Sequence, residues 1–217
     1  MKNLFNYENG VMSAISSIAD SLILGILWVF CSLPVFTVGA SCAAFYYAYN
    51  KCIRQKTDYI WRSFFSGFKR NFKQATQIWL IVLCLVFIII MDFHLLRFME
   101  NTAVLALIIQ IILITAVLYI IIWALYLFPY ISRFEGSNKT VMKNCALIAV
   151  ANIPQSLLLL IVFAITALIF LCLPMLNLLF PSLYMFCANR LLEKIFRKYM
   201  PPEDLDGQTA EPPTEEA

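Results

Sequence analysis

Four long stretches without a charged side chain divide this sequence, at residues 21–50, 74–91, 101–132 and 144–189. A helix rises about 1.5 Å per residue, so a hydrocarbon core ~30 Å thick takes about 20 apolar residues. The second stretch holds one helix, extended slightly beyond Asp92, and the third holds one long or tilted helix. The fourth would run about 69 Å as a single helix and must hold two. Its break is marked by Pro174, because proline removes a backbone donor and disfavours helix at the residue before it. Pro34 and Gly39 punctuate the first stretch in the same way, within "LPVFTVGAS". There the pattern allows a short helical hairpin or one helix followed by an apolar piece.

The expectation is an all-α polytopic membrane helix bundle, one domain over residues 1–200, with six transmembrane helices and five as the alternative. The helices are predicted at 15–33, 39–54, 74–97, 102–128, 145–172 and 175–196. A seventh, amphipathic and interfacial, is predicted at 58–73. There Trp61, Phe64, Phe65, Phe68 and Phe72 recur at i, i+3, i+4, i+7 and i+11, which places five aromatics on one helical face. Arg62, Lys69, Arg70 and Lys73 occupy the other faces. Such a helix lies in the headgroup plane, each cation gaining on the order of 1 kcal/mol from anionic lipid; its other reading is docking onto another membrane protein. No recognised nucleic-acid fold accompanies it, so a nucleic-acid partner is not expected.

Composition agrees with the membrane reading. Of 217 residues 62% are apolar and 13% charged, with a mean hydropathy of +0.80, against about 45–50% and roughly 25% in a soluble domain. The distribution of Lys and Arg then orients the chain. Lys51, Arg54, Lys56, Arg62, Lys69, Arg70 and Lys73 follow the first hairpin, Arg133, Lys139 and Lys143 form a second group, and Arg190, Lys194, Arg197 and Lys198 a third. The intervening connections hold only Arg97, balanced by Glu100, and the uncharged "CLPMLN". All three basic segments therefore belong in the cytoplasm. Six helices place both termini there; five put the N-terminus outside. Glu8 and Asp20 argue against a cleaved secretory signal, and "VGASC" lies too far along for lipoprotein cleavage. Residues 201–217 are Pro-rich and carry six acidic residues and no basic ones, which reads as a disordered acidic tail. It is solvated by default, with folding back onto the basic face as the other arrangement.

Candidate chemistry is sparse. Six of the seven cysteines sit in apolar runs without a CxxC pair, where they read as small hydrophobes. Ionisable residues inside membrane segments are functional suspects because their desolvation is costly, which singles out Asp92 and Arg97, best read as an end-of-helix ion pair. His94 lacks a second histidine and makes no metal site. Gln110, Asn152 and Gln155 are intramembrane polar candidates, and Pro154 in "ANIPQS" frees a helix carbonyl that such groups can satisfy. They either line a polar cavity or hold helices together. "FCSLP" and "FLCLP" are each followed 15 or 16 residues after the proline by Asn and then a cation, Asn50–Lys51 and Asn189–Arg190. That is either a parallel repeat or coincidence between apolar segments. No Walker, HExxH, GxSxG or GxGxxG motif and no catalytic carboxylate pair is present, so no enzyme activity, cofactor or metal is expected.

Four stretches, "LWVFCSLPVFTVGAS", "WRSFFSGFKRNFKQA", "FPYISRFEGS" and "ANIPQSLLLL", together resemble the YesL family of bacterial integral membrane proteins, a family defined by a domain of unknown function. The resemblance covers about residues 5–200. It implies a small multi-pass protein of the bacterial plasma membrane, of Firmicute type, often encoded beside carbohydrate-uptake transporters and polysaccharide-degrading enzymes. No reaction and no catalytic residues come with it. The expectation is an accessory or regulatory membrane protein linked to carbohydrate uptake, with anionic lipid and sugar-transporter subunits as partners. The alternative is a small transporter or lipid-handling protein with a polar cavity reaching Gln110, Asn152 or Gln155.

Overall fold

The computed structural model describes residues 19–54, 59–96, 103–172 and 180–199. Among them every regular element is helical. We label α1 (Ala19–Ser32), α2 (Val38–Ala48), α3 (Ile60–Leu96), α4 (Ala103–Arg133), α5 (Asn138–Ala151), α6 (Ile153–Cys172) and α7 (Phe180–Arg197). A 3-10 turn, Val35–Thr37, precedes α2, and a π-helical turn, Tyr49–Arg54, continues it. The helices predicted at 15–33, 39–54 and 175–196 correspond, over their described parts, to α1, α2 with its π turn, and α7. Pro174 and residues 201–217 lie outside the described residues.

The reversal between α1 and α2 follows from local chemistry. The last carbonyls of a helix have no intrahelical partner. Here the Thr37 hydroxyl reaches back, donating to the carbonyls of Cys31 (2.6 Å) and Pro34 (2.7 Å), while the Thr37 amide also donates to Pro34 (2.9 Å). Beyond the turn, Gly39, Ala40, Ser41, Ala43, Ala44 and Ala48 are all buried. Small side chains let backbones approach closely, and α2 accordingly packs against both α3 and α4. At Gly39 a Cβ would stand 2.7 Å from Trp79 Cβ and 2.8 Å from the carbonyl oxygen of Ala75. The contact admits nothing larger than hydrogen.

Three expectations are corrected. The interfacial helix at 58–73 and the span at 74–97 are one continuous helix, α3, of 37 residues and about 55 Å. The junction at Lys73–Gln74 carries no Gly or Pro, and a single buried stripe, Ile60, Ser63, Phe64, Gly67, Asn71, Ala75, Ile78 and Val82, runs across it. Next, the helix predicted to end at 128 passes through Pro129 to Arg133. Its flanking residues Tyr126, Leu127, Phe128, Tyr130 and Ile131 are all buried, and that packing outweighs the roughly 3 kcal/mol cost of an interior proline. Finally, the helix predicted at 145–172 is two, α5 and α6, bent by 98°. α5 also starts earlier, because Ser137 caps it by accepting from the Thr140 amide (3.4 Å).

By length and composition α3 and α4 can each cross a membrane, and α5 with α6 makes a third crossing if the bent pair counts as one. Among the described residues there are thus two or three candidate spans. Ile88 and Met91 of α3, Ile108 and Ile112 of α4, and Leu157 and Leu168 of α6 are among many large apolar side chains left exposed. Apolar exposure on this scale, on helices of this length, is the mark of a membrane protein.

Candidate functional site

Where α2, α4 and α7 meet, a carboxylate is taken out of solvent. Glu193 of α7 is 3% exposed. Its Oε1 accepts from the Tyr46 hydroxyl of α2 (2.8 Å), and its Oε2 accepts from Arg133 Nη2 at the end of α4 (3.0 Å). One turn away Asn189 Nδ2 donates to Asn50 Oδ1 (3.0 Å), and Asn50 Nδ2 donates to the Tyr46 carbonyl (3.2 Å). The Phe196 ring closes the cluster, packing edge-on against Tyr46, Tyr130 and Phe134 at 6.5, 6.0 and 5.7 Å between centroids. Burying a charge costs several kcal/mol unless it is paired and hydrogen-bonded. Here the carboxylate has both a charge partner and a neutral donor, so the cluster joins three helices that are far apart in sequence.

The two asparagines noted for their spacing after Pro34 and Pro174 therefore bond to each other. Tyr46 and Asn50, one turn apart, thus pair with Glu193 and Asn189, which are also one turn apart.

The sequence reading missed this cluster, counting Arg133 only toward topology. A signal existed: Met185, Ala188, Asn189, Leu192 and Phe196 form the buried stripe of α7, and Glu193 falls within it. A carboxylate on an apolar stripe demands a buried partner.

The predicted docking face is split by the fold. Phe64 turns inward and is fully buried, stacked on the half-buried Phe68 (6.2 Å). Trp61 and Phe65 (4.9 Å apart) and Phe72, against Phe68 (5.3 Å), remain exposed as an aromatic edge. Arg62, Lys69 and Lys73 form an exposed cationic ridge beside that edge, at i, i+7 and i+11. Arg70 instead turns to the bundle: its Nη2 donates to the Ser132 carbonyl (3.1 Å), and its guanidinium lies 4.7 Å over the Tyr47 ring. Gln74 Nε2 donates to the Gly136 carbonyl (2.8 Å) and Asn138 Nδ2 to Gln77 Oε1 (2.7 Å). The first four turns of α3 are thus fixed to the bundle rather than free to lie elsewhere.

The intramembrane polar candidates do not converge. Arg97 lies outside the described residues, and with it the proposed pair with Asp92, which is half-buried. His94 and Gln110 line a groove of about 480 Å³ with Ile90, Phe93, Leu96 and Ala106, between the end of α3 and the start of α4. Asn152 lies elsewhere, buried at the α5–α6 bend, where its Nδ2 donates to the Ile148 carbonyl (3.0 Å) and the Tyr199 hydroxyl (2.9 Å). Ser156 donates to the Ala149 carbonyl (2.9 Å). The Ala149 carbonyl at the bend is thereby satisfied, the Ile148 carbonyl still accepts from the Asn152 amide (3.1 Å), and Pro154 sits in the first turn of α6, where its missing donor has no intrahelical role. Gln155 is half-buried, and its side chain makes no hydrogen bond among the described residues. Among those residues, no three potential metal ligands gather.

A family profile described as protein of unknown function, DUF624, matches residues 22–93. The match takes in most of α1, all of α2 and α3 up to Phe93, and so includes the small-residue helix, Arg70 and the cationic ridge. Over those residues the chain is similar to a family of unknown function. No curated protein and no solved structure matches the chain.

Proposed function

We propose that this is an accessory membrane protein that offers the first four turns of α3 as a docking surface. The observation that carries this reading is the exposed ridge of Arg62, Lys69 and Lys73 with its aromatic edge, held rigidly on a helix that continues as a membrane span. A transporter reading has less support, because Asn152 is engaged in internal hydrogen bonds and the groove lining does not reach it. Anionic headgroups are the other natural contact for the same surface.

The carbohydrate link is carried by the resemblance to the YesL family, which makes subunits of a sugar-uptake system the proposed partner. Isolating the tagged protein from its native membrane in mild detergent is expected to recover such subunits, and Arg62→Gln/Lys69→Gln/Lys73→Gln is expected to lose them. Recovery of the tagged protein alone under several detergents would sink the idea.

The location proposed is the bacterial plasma membrane, with six crossings and both termini in the cytoplasm. The Arg70–Ser132 and Arg133–Glu193 contacts support a one-sided arrangement, since they gather all three basic segments at one end of the bundle. An epitope fused ahead of Met1 should then escape antibody added to intact cells; staining of intact cells would leave five crossings.

A further inference from the structure

Between residues 60 and 91 the α3 helix carries no carboxylate. Among the described residues, no carboxylate pairs with Arg62, Lys69 or Lys73. The chain itself contains a complementary segment: after Tyr199 come Glu203, Asp204 and Asp206, then Glu211, Glu215 and Glu216, with no Lys or Arg among them. We propose that this acidic segment docks on the cationic ridge of α3, with Glu203, Asp204 and Asp206 against Arg62, Lys69 and Lys73, and occupies that surface until a partner displaces it. The proposal rests on the reading of the ridge as the docking surface.

The fold brings the two together. Near the end of α7, Phe196 packs on Tyr46, whose neighbour Tyr47 lies against Gly67 and Arg70 of α3. Phe196 also touches Phe134, two residues beyond the Ser132 carbonyl that receives Arg70. Tyr199, the last described residue before the acidic segment, accepts from Asn152 at the α5–α6 bend, and the segment starts from there. An extended chain covers ~3.3–3.6 Å per residue, so residues 200–206 reach up to about 25 Å. A helix with its side chains is only ~10–12 Å across, and the ridge adjoins Arg70 around the helix. The competing cations, Lys194, Arg197 and Lys198, sit at the end of α7, where they already complement the negative pole of the helix.

The test uses the full chain, one copy per nanodisc of neutral phosphatidylcholine. A zero-length carbodiimide, which joins an amine directly to a carboxylate, is expected to link Lys69 or Lys73 to Glu203, Asp204 or Asp206. Lys69 and Lys73 should also react several-fold more slowly with an amine-reactive ester than in the E203Q/D204N/D206N variant. That difference should vanish near ~1 M salt, where the screening length falls to about 3 Å. Equal labelling of the two proteins, or links confined to Lys194 and Lys198, would overturn the proposal. So would protection of the ridge seen only in discs containing anionic phosphatidylglycerol and undiminished in the variant, which would assign the surface to lipid. Links that form while no transporter subunits are recovered would support tail docking and refute the proposed partner. Subunits recovered without links would do the reverse.

Discussion

Glu193→Ala is expected to lower the unfolding free energy by about 3–5 kcal/mol, the range for removing one member of a buried ion pair. The substitution takes away the carboxylate that faces both the largely buried Arg133 guanidinium and the Tyr46 hydroxyl. An exposed pair would lose only ~0–1 kcal/mol, so thermal unfolding in a fixed detergent separates the two cases. The double variant Glu193→Leu/Arg133→Met should regain most of the loss, because replacing both charges by apolar groups removes the desolvation penalty together with the attraction. A single variant as stable as the parent would mean that the cluster does not hold α2, α4 and α7 together.

The second large effect is expected at Gly39. Gly39→Ala puts a methyl 2.7 Å from Trp79 Cβ, 2.8 Å from the Ala75 carbonyl oxygen and 2.8 Å from Phe128 Cε1. Overpacking a tight core typically costs 1–3 kcal/mol. A rigid backbone oxygen among the contacts puts this site at about 3 kcal/mol, since relief requires α2 to move away from α3. Gly67→Ala is the control. The nearest atoms to its Cβ all belong to the Tyr47 side chain, Cδ1 at 2.8 Å and Cβ and Cγ at 3.2 Å, and a side chain can shift more readily than a backbone. Unfolding midpoints should fall clearly further for Gly39→Ala than for Gly67→Ala; the opposite order would show that α2 is not the tightly packed element.

Both residues show how unevenly the molecule could be read from its sequence. Gly39 was singled out as a helix break. It proves to lie inside α2, where its value is the absence of a side chain at a crossing with α3. Pro34 does mark a reversal, but the turn is completed by Thr37, whose hydroxyl caps two carbonyls. Pro129 sits in a helix that its neighbours' burial keeps intact, while the bend at Asn152 is real and is stabilised by Asn152 and Ser156. Whether a proline or glycine interrupts a helix depends on what packs around it and on which groups take up the freed carbonyls, and neither is a local property.

The charge-free stretches by themselves determined that the chain is helical and made for a membrane, because the length of apolar sequence needed to cross a bilayer is set by the helix rise. Periodicity also determined that residues 60–73 carry an amphipathic helix with exposed cations. Only the tertiary structure decided that this helix is the start of a span. The buried stripe from Ile60 to Val82 is continuous, and Arg70 fastens it to α4. Only the structure, too, brought Tyr46, Arg133 and Glu193 into one cluster. Those residues lie 60 or more positions from one another, and a charge's partner across such a distance is chosen by how the helices cross.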